Sequence, residues 1–215
     1  MGHLTRFTSP VGARVCSLTW FARPPKFLNS ELLASDFYLL NSSSCRPCPK
    51  EYRPALMSAE FPTRPEILNE AVRFAIVASE YNRSYVDGLV RFATDELKTI
   101  APQAQLSFAR VPGSFEIPIA VQAVAKYQKP DAILAFGLIF DGETLHASLI
   151  ASAVTQALLT ISLKESVPVL HEVLVAKNEE QATARCLSPE LNRGTEAARA
   201  AIRIVHALRQ ILRGG

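Results

Sequence analysis

From residue 70 onward, the chain alternates short apolar stretches with longer stretches that carry apolar residues at helical spacing. The first pair is VRFAIVAS (72–79), followed by SYVDGLVRFATDELKTI (84–100), which stops before Pro102. Short runs of β-branched and other apolar residues are typical of strands, and apolar residues three and four positions apart are typical of helices. This part of the chain is therefore predicted to be built from strand–helix units.

The same pattern returns three more times. The further predicted strands are AQLSFARV (104–111), DAILAFGLI (131–139) and PVLHEVLVA (168–176). Helical stretches follow them at SFEIPIAVQAVAKY, TLHASLIASAVTQALLTISLKES, NEEQATARC and GTEAARAAIRIVHALRQIL. Because strands without polar alternation are buried on both faces, we predict an α/β fold with a four-stranded parallel sheet flanked by helices on both faces.

The first 69 residues differ in composition from the rest of the chain. They hold eight of the 14 prolines, the only tryptophan and three of the four cysteines. We place the boundary at about residue 70, with residues 1–69 as an N-terminal extension that is expected to be disordered and residues 70–215 as the folded domain. Residues 1–56, rich in Ser and basic residues, suit an organellar transit peptide. Translation starting at Met57, the only methionine besides Met1, is the alternative that we favour.

Charge and hydropathy exclude two classes of partner. The net charge of +3 comes from residues 1–56, which carry seven Lys/Arg and three Asp/Glu and leave 16 against 17 for the rest. A near-neutral body lacks the electrostatic support that nucleic-acid binding needs. No apolar run approaches the roughly 20 residues that cross a bilayer. We expect a soluble protein with no nucleic-acid or membrane partner, located in the cytoplasm, or in a plastid if residues 1–56 are a transit peptide.

The cysteines do not indicate a metal site or a nucleophile. Cys45 and Cys48 have the spacing of half a zinc site, but no second Cys/His pair follows at a usable distance. We interpret them as reduced thiols. Cys186 is predicted to be a small buried side chain, and His206 to be a packed or surface residue of the last helix. No metal is expected.

In open parallel sheets, ligands bind beyond the carboxyl ends of the strands, so the strand–helix junctions hold the candidate site residues. Four junctions are recognisable: SEYNRS (79–84), VPGSFE (111–116), FDGETLH (140–146), and the stretch from the fourth strand through ARC to NRG. Each of them also has a purely structural alternative.

The junction FDGETLH combines groups that suit a bound anion. Gly142 lets a ligand approach the backbone closely, and Thr144 offers a hydroxyl beside the unpaired N–H groups of a helix start. His146 would then exchange protons with the group that carries the anion. The alternative is an N-cap made by Asp141 or Thr144 with a surface histidine behind it.

The junction VPGSFEIP is the second candidate. Pro112 and Gly113 predict a sharp turn, and Pro118 is expected in the first turn of the next helix. Glu116, close to the helix N-terminus, would accept hydrogen bonds from a polar ligand. The alternative is an acidic residue that only stabilises the helix dipole.

Five motifs in this order and spacing, VPGSFEIP, GLIFDGETLH, PVLHEVL, EEQATAR and NRGTEAA, resemble the lumazine synthases of riboflavin biosynthesis over residues 72–212. The resemblance implies a flavodoxin-like three-layer sandwich that assembles as homopentamers or larger shells of pentamers. It implies condensation of 5-amino-6-(D-ribitylamino)uracil with 3,4-dihydroxy-2-butanone 4-phosphate to 6,7-dimethyl-8-ribityllumazine, without cofactor or metal. Riboflavin synthase is a further candidate partner.

The resemblance also implies a role for each matched residue. Residues expected to bind the pyrimidine and ribityl groups are Tyr81, Ser114, Phe115, Glu116, Leu138, Ile139, Phe140 and His171. Residues expected to bind phosphate are Glu143, Thr144 and Arg185. His146 is implied as the proton-transfer residue, and Arg193 and Glu196 as supporting residues, with Glu196 orienting or charge-balancing the histidine.

Two positions depart from the family pattern. His171 stands where many members have an apolar or aromatic residue, and it either adds a hydrogen bond or merely packs. Asp141 stands where a basic residue is frequent, and it places a negative charge near the expected phosphate. Two alternatives of other classes stay open: a non-catalytic flavin or lumazine binder, and a shell-forming structural protein. The joint presence of His146, Arg185 and Glu116 favours the enzyme, since a shell needs none of them.

Overall fold

The computed structural model describes residues 62–142 and 144–214, which contain four strands, five α-helices and one short 3-10 turn. The predictions for residues 1–61, including Cys45, Cys48 and Met57, and the role of Glu143 lie outside the described residues. The elements in chain order are β1 (Arg73–Ser79), α1 (Arg83–Ile100), β2 (Gln105–Val111), the 3-10 turn (Ser114–Glu116), α2 (Ile117–Tyr127), β3 (Ala132–Phe140), α3 (His146–Glu165), β4 (Val169–Ala176), α4 (Glu179–Cys186) and α5 (Arg193–Arg213).

The four strands form one parallel sheet in the order β2-β1-β3-β4. Helices α1 and α5 pack together on one face of the sheet, with α4 beside them, and α2 and α3 pack together on the other face. This is the predicted three-layer α/β arrangement with a four-stranded parallel sheet, and the structure confirms it.

Two hydrophobic cores separate the layers, because side chains along a strand point alternately to opposite faces. On β1, Phe74 and Ile76 face the core under α1, α4 and α5, whereas Ala75 and Val77 face the core under α2 and α3. On β3, Leu134 and Phe136 join the first core in the same way. Both central strands are therefore buried on both faces, as predicted for strands without polar alternation.

The outer strands do not follow that prediction. In β2, Gln105, Ser107 and Phe108 are exposed, and β4 is mostly half-buried. The reason is position, since β2 and β4 are the two edges of the sheet and the helices cover an edge strand incompletely. The apolar character of Phe108 therefore reports an uncovered surface and not a core.

Residues 62–70, most of which composition assigned to the extension, are bonded to the helices of the domain. The backbone N–H of Leu68 donates to the carbonyl of Ile100 over 2.8 Å. Arg64 and Arg199 both bind the carboxylate of Glu96, at 2.7 and 2.8 Å. Burial raises the pKa of Glu96, but the hydrogen bonds from the two arginines outweigh it, so that the pKa is lowered. Residues on the N-terminal side of the compositional change at residue 70 therefore make contacts with the folded domain.

Helix α3 is long and apolar enough to cross a membrane, judged by length and composition alone. Its buried residues Ala147, Val154, Leu158 and Ile161 recur at helical spacing and attach it to the sheet. The high hydropathy therefore belongs to a layer helix of the sandwich, whose outer face also carries exposed leucines such as Leu149.

Candidate active site

A cleft of about 320 Å³ opens where β1, β2 and β3 end. Eight residues predicted for the site line it: Tyr81, Ser114, Phe115, Glu116, Leu138, Ile139, Phe140 and His146. Asn82, Gly113 and Ile150 complete the lining. The cleft therefore combines three of the four junctions at the carboxyl edge of the sheet.

The β1–α1 junction forms one wall of the cleft. The Tyr81 side chain is 70% exposed, and its backbone N–H donates to the carbonyl of Pro112 over 3.1 Å. Asn82 has a left-handed backbone with φ of 57°, and its side-chain amide donates to the carbonyl of Leu138 over 2.8 Å. Asn82 thus ties the loop that carries Tyr81 to the floor of the cleft.

Sequence reasoning missed Asn82, although a signal was present. Asparagine is enriched several-fold among non-glycine residues with positive φ, and it often stands immediately before a helix. Here Asn82 directly precedes α1 and makes no side-chain cap hydrogen bond, and its Nδ2 donates to β3. The side chain therefore serves the contact between the loop and the sheet.

The β2–α2 junction fixes the carboxylate of Glu116. The backbone N–H of Gly113 donates to Glu116 Oε2 over 2.8 Å, which closes the 3-10 turn on itself. A Cβ on Gly113 would lie 2.8 Å from that oxygen and 3.0 Å from the Tyr81 ring, so a larger residue would displace these two side chains. Phe115 projects from the turn and is 62% exposed. Pro118 lies in the first turn of α2, as predicted.

The β3 strand supplies the floor. Leu138 is buried, and Ile139 and Phe140 are half-buried at the end of the strand. Phe140 also contacts the ring of Tyr85 edge-on, with the ring centres 5.8 Å apart. Gly137 lets the 3-10 turn sit close to the sheet, because an added Cβ would lie 2.8 Å from Ser114 Oγ. The floor is thus apolar, with the polar groups of the turn above it.

Helix α3 begins at His146, which is exposed at the rim of the cleft. The preceding residue, Leu145, takes the cap position with a helical backbone, and no side chain makes a cap hydrogen bond. The alternative interpretation, in which Asp141 or Thr144 caps this helix, is therefore wrong. Both are exposed, and uncapped N–H groups at a helix start favour an anion.

The remaining predicted residues do not line this cleft within the described part of the chain. His171 lies on β4 and faces α3, where its Nε2 and Thr155 Oγ1 are 2.8 Å apart. Arg185 lies in the last turn of α4. Arg193 begins α5 and forms an ion pair with Glu196. Within one chain, the carboxylate of Glu196 therefore balances Arg193, and its role beside His146 stays a prediction.

A carboxyl group that sequence reasoning missed lies beside these arginines. Glu172 follows His171 on β4, and its pKa is raised to about 8, mainly by burial and also by Glu196, while Arg193 and Arg185 act in the opposite direction. The signal was a lone acidic residue within a strand predicted to be buried on both faces.

Cys186 next to Arg185 is fully buried, as predicted. Burial raises the pKa of its thiol to about 11, with Arg185 lowering it and Glu172 raising it further. Because the thiolate is the reactive form, this cysteine has no nucleophilic character near neutral pH.

Comparison with known proteins was made on the whole chain. Residues 71–209 match the profile of the family described as 6,7-dimethyl-8-ribityllumazine synthase. A protein of that name from Halorhodospira halophila is 39% identical over 140 residues, which cover 65% of this chain and 90% of that protein. Proteins of the same name from Pyrococcus furiosus and Aquifex aeolicus are 38% and 36% identical, covering 66% of this chain in each case and 88% and 93% of their own lengths.

Proposed function

Since the chain belongs to the 6,7-dimethyl-8-ribityllumazine synthase family, transferases of riboflavin biosynthesis, we propose that it condenses 5-amino-6-(D-ribitylamino)uracil with 3,4-dihydroxy-2-butanone 4-phosphate. The reaction forms 6,7-dimethyl-8-ribityllumazine and releases phosphate and water. The observation that carries this proposal is the cleft, which collects eight predicted residues from three separate junctions.

The pyrimidine is proposed to bind between the β1–α1 loop and the 3-10 turn. Tyr81 presents an exposed aromatic face on which a planar ring can stack. Glu116 is held in place by Gly113, and its carboxylate accepts hydrogen bonds from the ring N–H groups or the ribityl hydroxyls. The apolar floor of Leu138 and Phe140 excludes water beneath the ring.

The phosphate is proposed to bind at the start of α3. The first turn of α3 has no side-chain cap, so its N–H groups are proposed to bind the anion, and Thr144, two residues before the helix, is proposed to add its hydroxyl. Glu143 belongs to the same predicted loop. Arg185 suits a bidentate contact with phosphate. Because Arg185 lies on α4 and does not line the cleft of its own chain, we propose that a neighbouring copy supplies it.

His146 is proposed to transfer protons during the condensation. The amine attacks the ketone carbonyl, and the resulting carbinolamine loses water to give an imine. Phosphate is then eliminated, and the second amine closes the ring with loss of a further water. Each step needs a proton donor or acceptor in position more than it needs a protein nucleophile. His146 stands at the rim of the cleft, two residues after the phosphate-binding Thr144.

Exposed apolar side chains around the cleft support assembly with further copies of the chain. Phe115, Ile119 and Leu145 are 62%, 70% and 77% exposed. Together with Pro118 and Val154, the first two line a groove between α2 and α3 next to the cleft. Contiguous apolar surface of this kind marks an interface. We propose a homopentamer, or a shell of pentamers. In this assembly, Arg185 and Arg193 of one copy complete the cleft of the next.

The purified full-length chain, mixed with both substrates, tests the proposal. Lumazine formation is followed by absorbance and fluorescence. We expect turnover well above the uncatalysed rate and a loss of about 10²-fold or more in His146→Ala. His206→Ala, which removes an exposed histidine from α5, is the matched control and should retain activity. Tight lumazine or flavin binding without turnover would show that the protein is a non-catalytic binder and not an enzyme.

A further inference from the structure

The charges beside β4 form a cluster of two acids and two bases. Arg185 comes from α4, Arg193 and Glu196 from α5, and Glu172 from β4. Arg193 and Glu196 form an ion pair, and the Glu172 carboxyl interacts electrostatically with Arg193, Glu196 and Arg185. The cluster therefore carries one net positive charge when Glu172 is neutral and none when Glu172 is ionised.

The strand direction of Glu172 explains why it belongs to this cluster. Glu172 is in phase with Leu170 and Leu174, which pack against the core under α1, α4 and α5. Its neighbour His171 points to the opposite face and bonds Thr155 of α3. The Glu172 carboxyl is therefore directed to the side of the sheet on which both arginines lie.

The surroundings of Glu172 can be given element by element. The adjacent strand β3 carries no charged side chain, and α3 covers the other face of the sheet. Helix α4 contributes Arg185 and the thiol of Cys186 to the surroundings of Glu172, and helix α5 contributes Arg193 and Glu196. The thiol stays protonated, since its pKa is raised to about 11. Glu172 is thus the member of the cluster that titrates near neutral pH.

We propose that Glu172 is a positioning residue for the arginines that hold the substrate phosphate: its neutral form leaves them to the anion, and its ionised form competes with the anion for them. This inference rests on the proposed role of Arg185 in phosphate binding. Burial disfavours the ionised carboxylate, and its pKa of about 8 keeps Glu172 protonated at neutral pH. A bound phosphate dianion disfavours ionisation further, so that binding above about pH 8 is coupled to proton uptake.

The test measures binding of inorganic phosphate by isothermal titration calorimetry between pH 8 and 10, where phosphate is predominantly the dianion. The full chain is used in the assembled state in which it purifies. For the wild type, we expect the dissociation constant to rise about tenfold per pH unit above about pH 8. Glu172→Gln keeps the shape of the neutral carboxyl, and its dissociation constant should stay nearly flat across this range. Glu180→Gln removes an exposed carboxylate from α4 as the matched control and should follow the wild type.

A measurement on the wild type alone guards against a variant that fails to fold. Titration at pH 9 in buffers of different ionisation enthalpy reports the protons taken up with phosphate. We expect an uptake approaching one proton per site in the wild type. No uptake would overturn the role of Glu172, as would a Glu172→Gln profile as steep as that of the wild type.

Arg185→Gln separates this inference from the function on which it depends. If phosphate binds Arg185→Gln as tightly as the wild type at all pH values, the phosphate role of Arg185 fails, and the inference fails with it. If Arg185→Gln loses phosphate binding about tenfold or more, while Glu172→Gln keeps the wild-type pH profile, only the inference about Glu172 fails.

Discussion

Asp141 is a carboxylate beside the proposed phosphate site. It lies at the end of β3, where its backbone N–H bonds the carbonyl of Ala176 and its side chain is exposed. Because that side chain is not committed to capping α3, exchanging it should change the local charge without loss of a cap. The charge effect of this position on substrate binding can therefore be isolated.

We predict that Asp141→Arg tightens binding of the butanone phosphate. Replacing a negative by a positive charge should lower its Michaelis constant about three- to tenfold at low ionic strength, and salt should weaken the effect. Asp95→Arg, the same exchange at an exposed position of α1, controls for overall charge. A Michaelis constant that is unchanged or higher in Asp141→Arg would show that the charge at residue 141 is irrelevant.

Asn82 holds the wall of the cleft to its floor by one hydrogen bond. We predict that Asn82→Asp lowers the free energy of unfolding by about 2 kcal/mol, because a carboxylate cannot donate to the carbonyl of Leu138 and repels it. Asn82→Gly keeps the left-handed backbone and should lose only about 1 kcal/mol. Urea unfolding measures both. Stabilities of both variants equal to that of the wild type would show that the donor at this position does not matter.

Gly137 on β3 and Gly142 in the loop after it allow two effects to be tested separately. Gly137 concerns the packing of the 3-10 turn on the sheet, and Gly142 concerns the approach of a ligand to the backbone. At Gly137 an added Cβ would lie 2.8 Å from Ser114 Oγ and 3.1 Å from Ile117, whereas at Gly142 it would meet nothing within 4 Å. We therefore predict that Gly137→Ala lowers both the melting temperature and the activity. Gly142→Ala should leave the melting temperature unchanged and weaken only the binding of the phosphate substrate.

Melting curves and the two Michaelis constants test this pair of variants. Full activity of Gly142→Ala would mean that no ligand approaches the backbone at residue 142. Unchanged melting of Gly137→Ala would mean that the 3-10 turn can move away from the sheet without cost.

The contact of β4 with α4 and α5 should make stability depend on pH in a particular direction. The pKa of Glu172 is raised in the folded chain, so the folded state binds the proton more tightly than the unfolded state. Its contribution to stability is complete below the ordinary carboxyl pKa, and it is lost as pH rises towards about 8.

We predict that the melting temperature of Glu172→Gln increases relative to that of the wild type as pH rises from about 5 to about 8. Above this range the difference between the two melting temperatures should be constant. Differential scanning fluorimetry across this range measures it. The melting temperature of Glu180→Gln should change with pH in the same way as that of the wild type. A difference between Glu172→Gln and wild type that is independent of pH would show that Glu172 does not titrate in this window.

On the scale of the whole molecule, the predicted site residues divide into two groups. Tyr81, Glu116 and His146 belong to the cleft at the ends of β1 to β3. Arg185 and Arg193 belong to the cluster of α4 and α5. If copies of the chain assemble so that the cluster of one completes the cleft of the next, activity is a property of the assembly.

Co-expression of two inactive variants tests this arrangement. His146→Ala has an intact arginine cluster, and Arg185→Ala has an intact cleft. With random mixing, we predict that about one site in four combines a wild-type cleft with a wild-type cluster, so that about a quarter of the activity returns. Residual activity no greater than that of the separate variants would place both groups in one chain's site.

Local patterns in the sequence predict the order of strands and helices and eight of the residues that line the cleft. Hydrophobic periodicity is local information, and the buried strands β1 and β3 display it fully. The motifs around Gly113 and His146 lie directly after strands, and parallel strands bring their carboxyl ends to one edge. Residues of three junctions were therefore expected to meet before the fold was known, and they line one cleft.

Tertiary structure alone decided which strands are edges and which groups face each other. β2 was predicted to be buried like β1, but only the sheet order leaves Phe108 without a covering helix. The bond from Asn82 to Leu138 spans 56 positions, and the Glu172 carboxyl interacts electrostatically with Arg185 and Arg193, which lie on two other elements. Such contacts depend on long-range packing, which local periodicity does not contain. For the same reason, the motifs alone do not show which of the predicted site residues meet within a single chain.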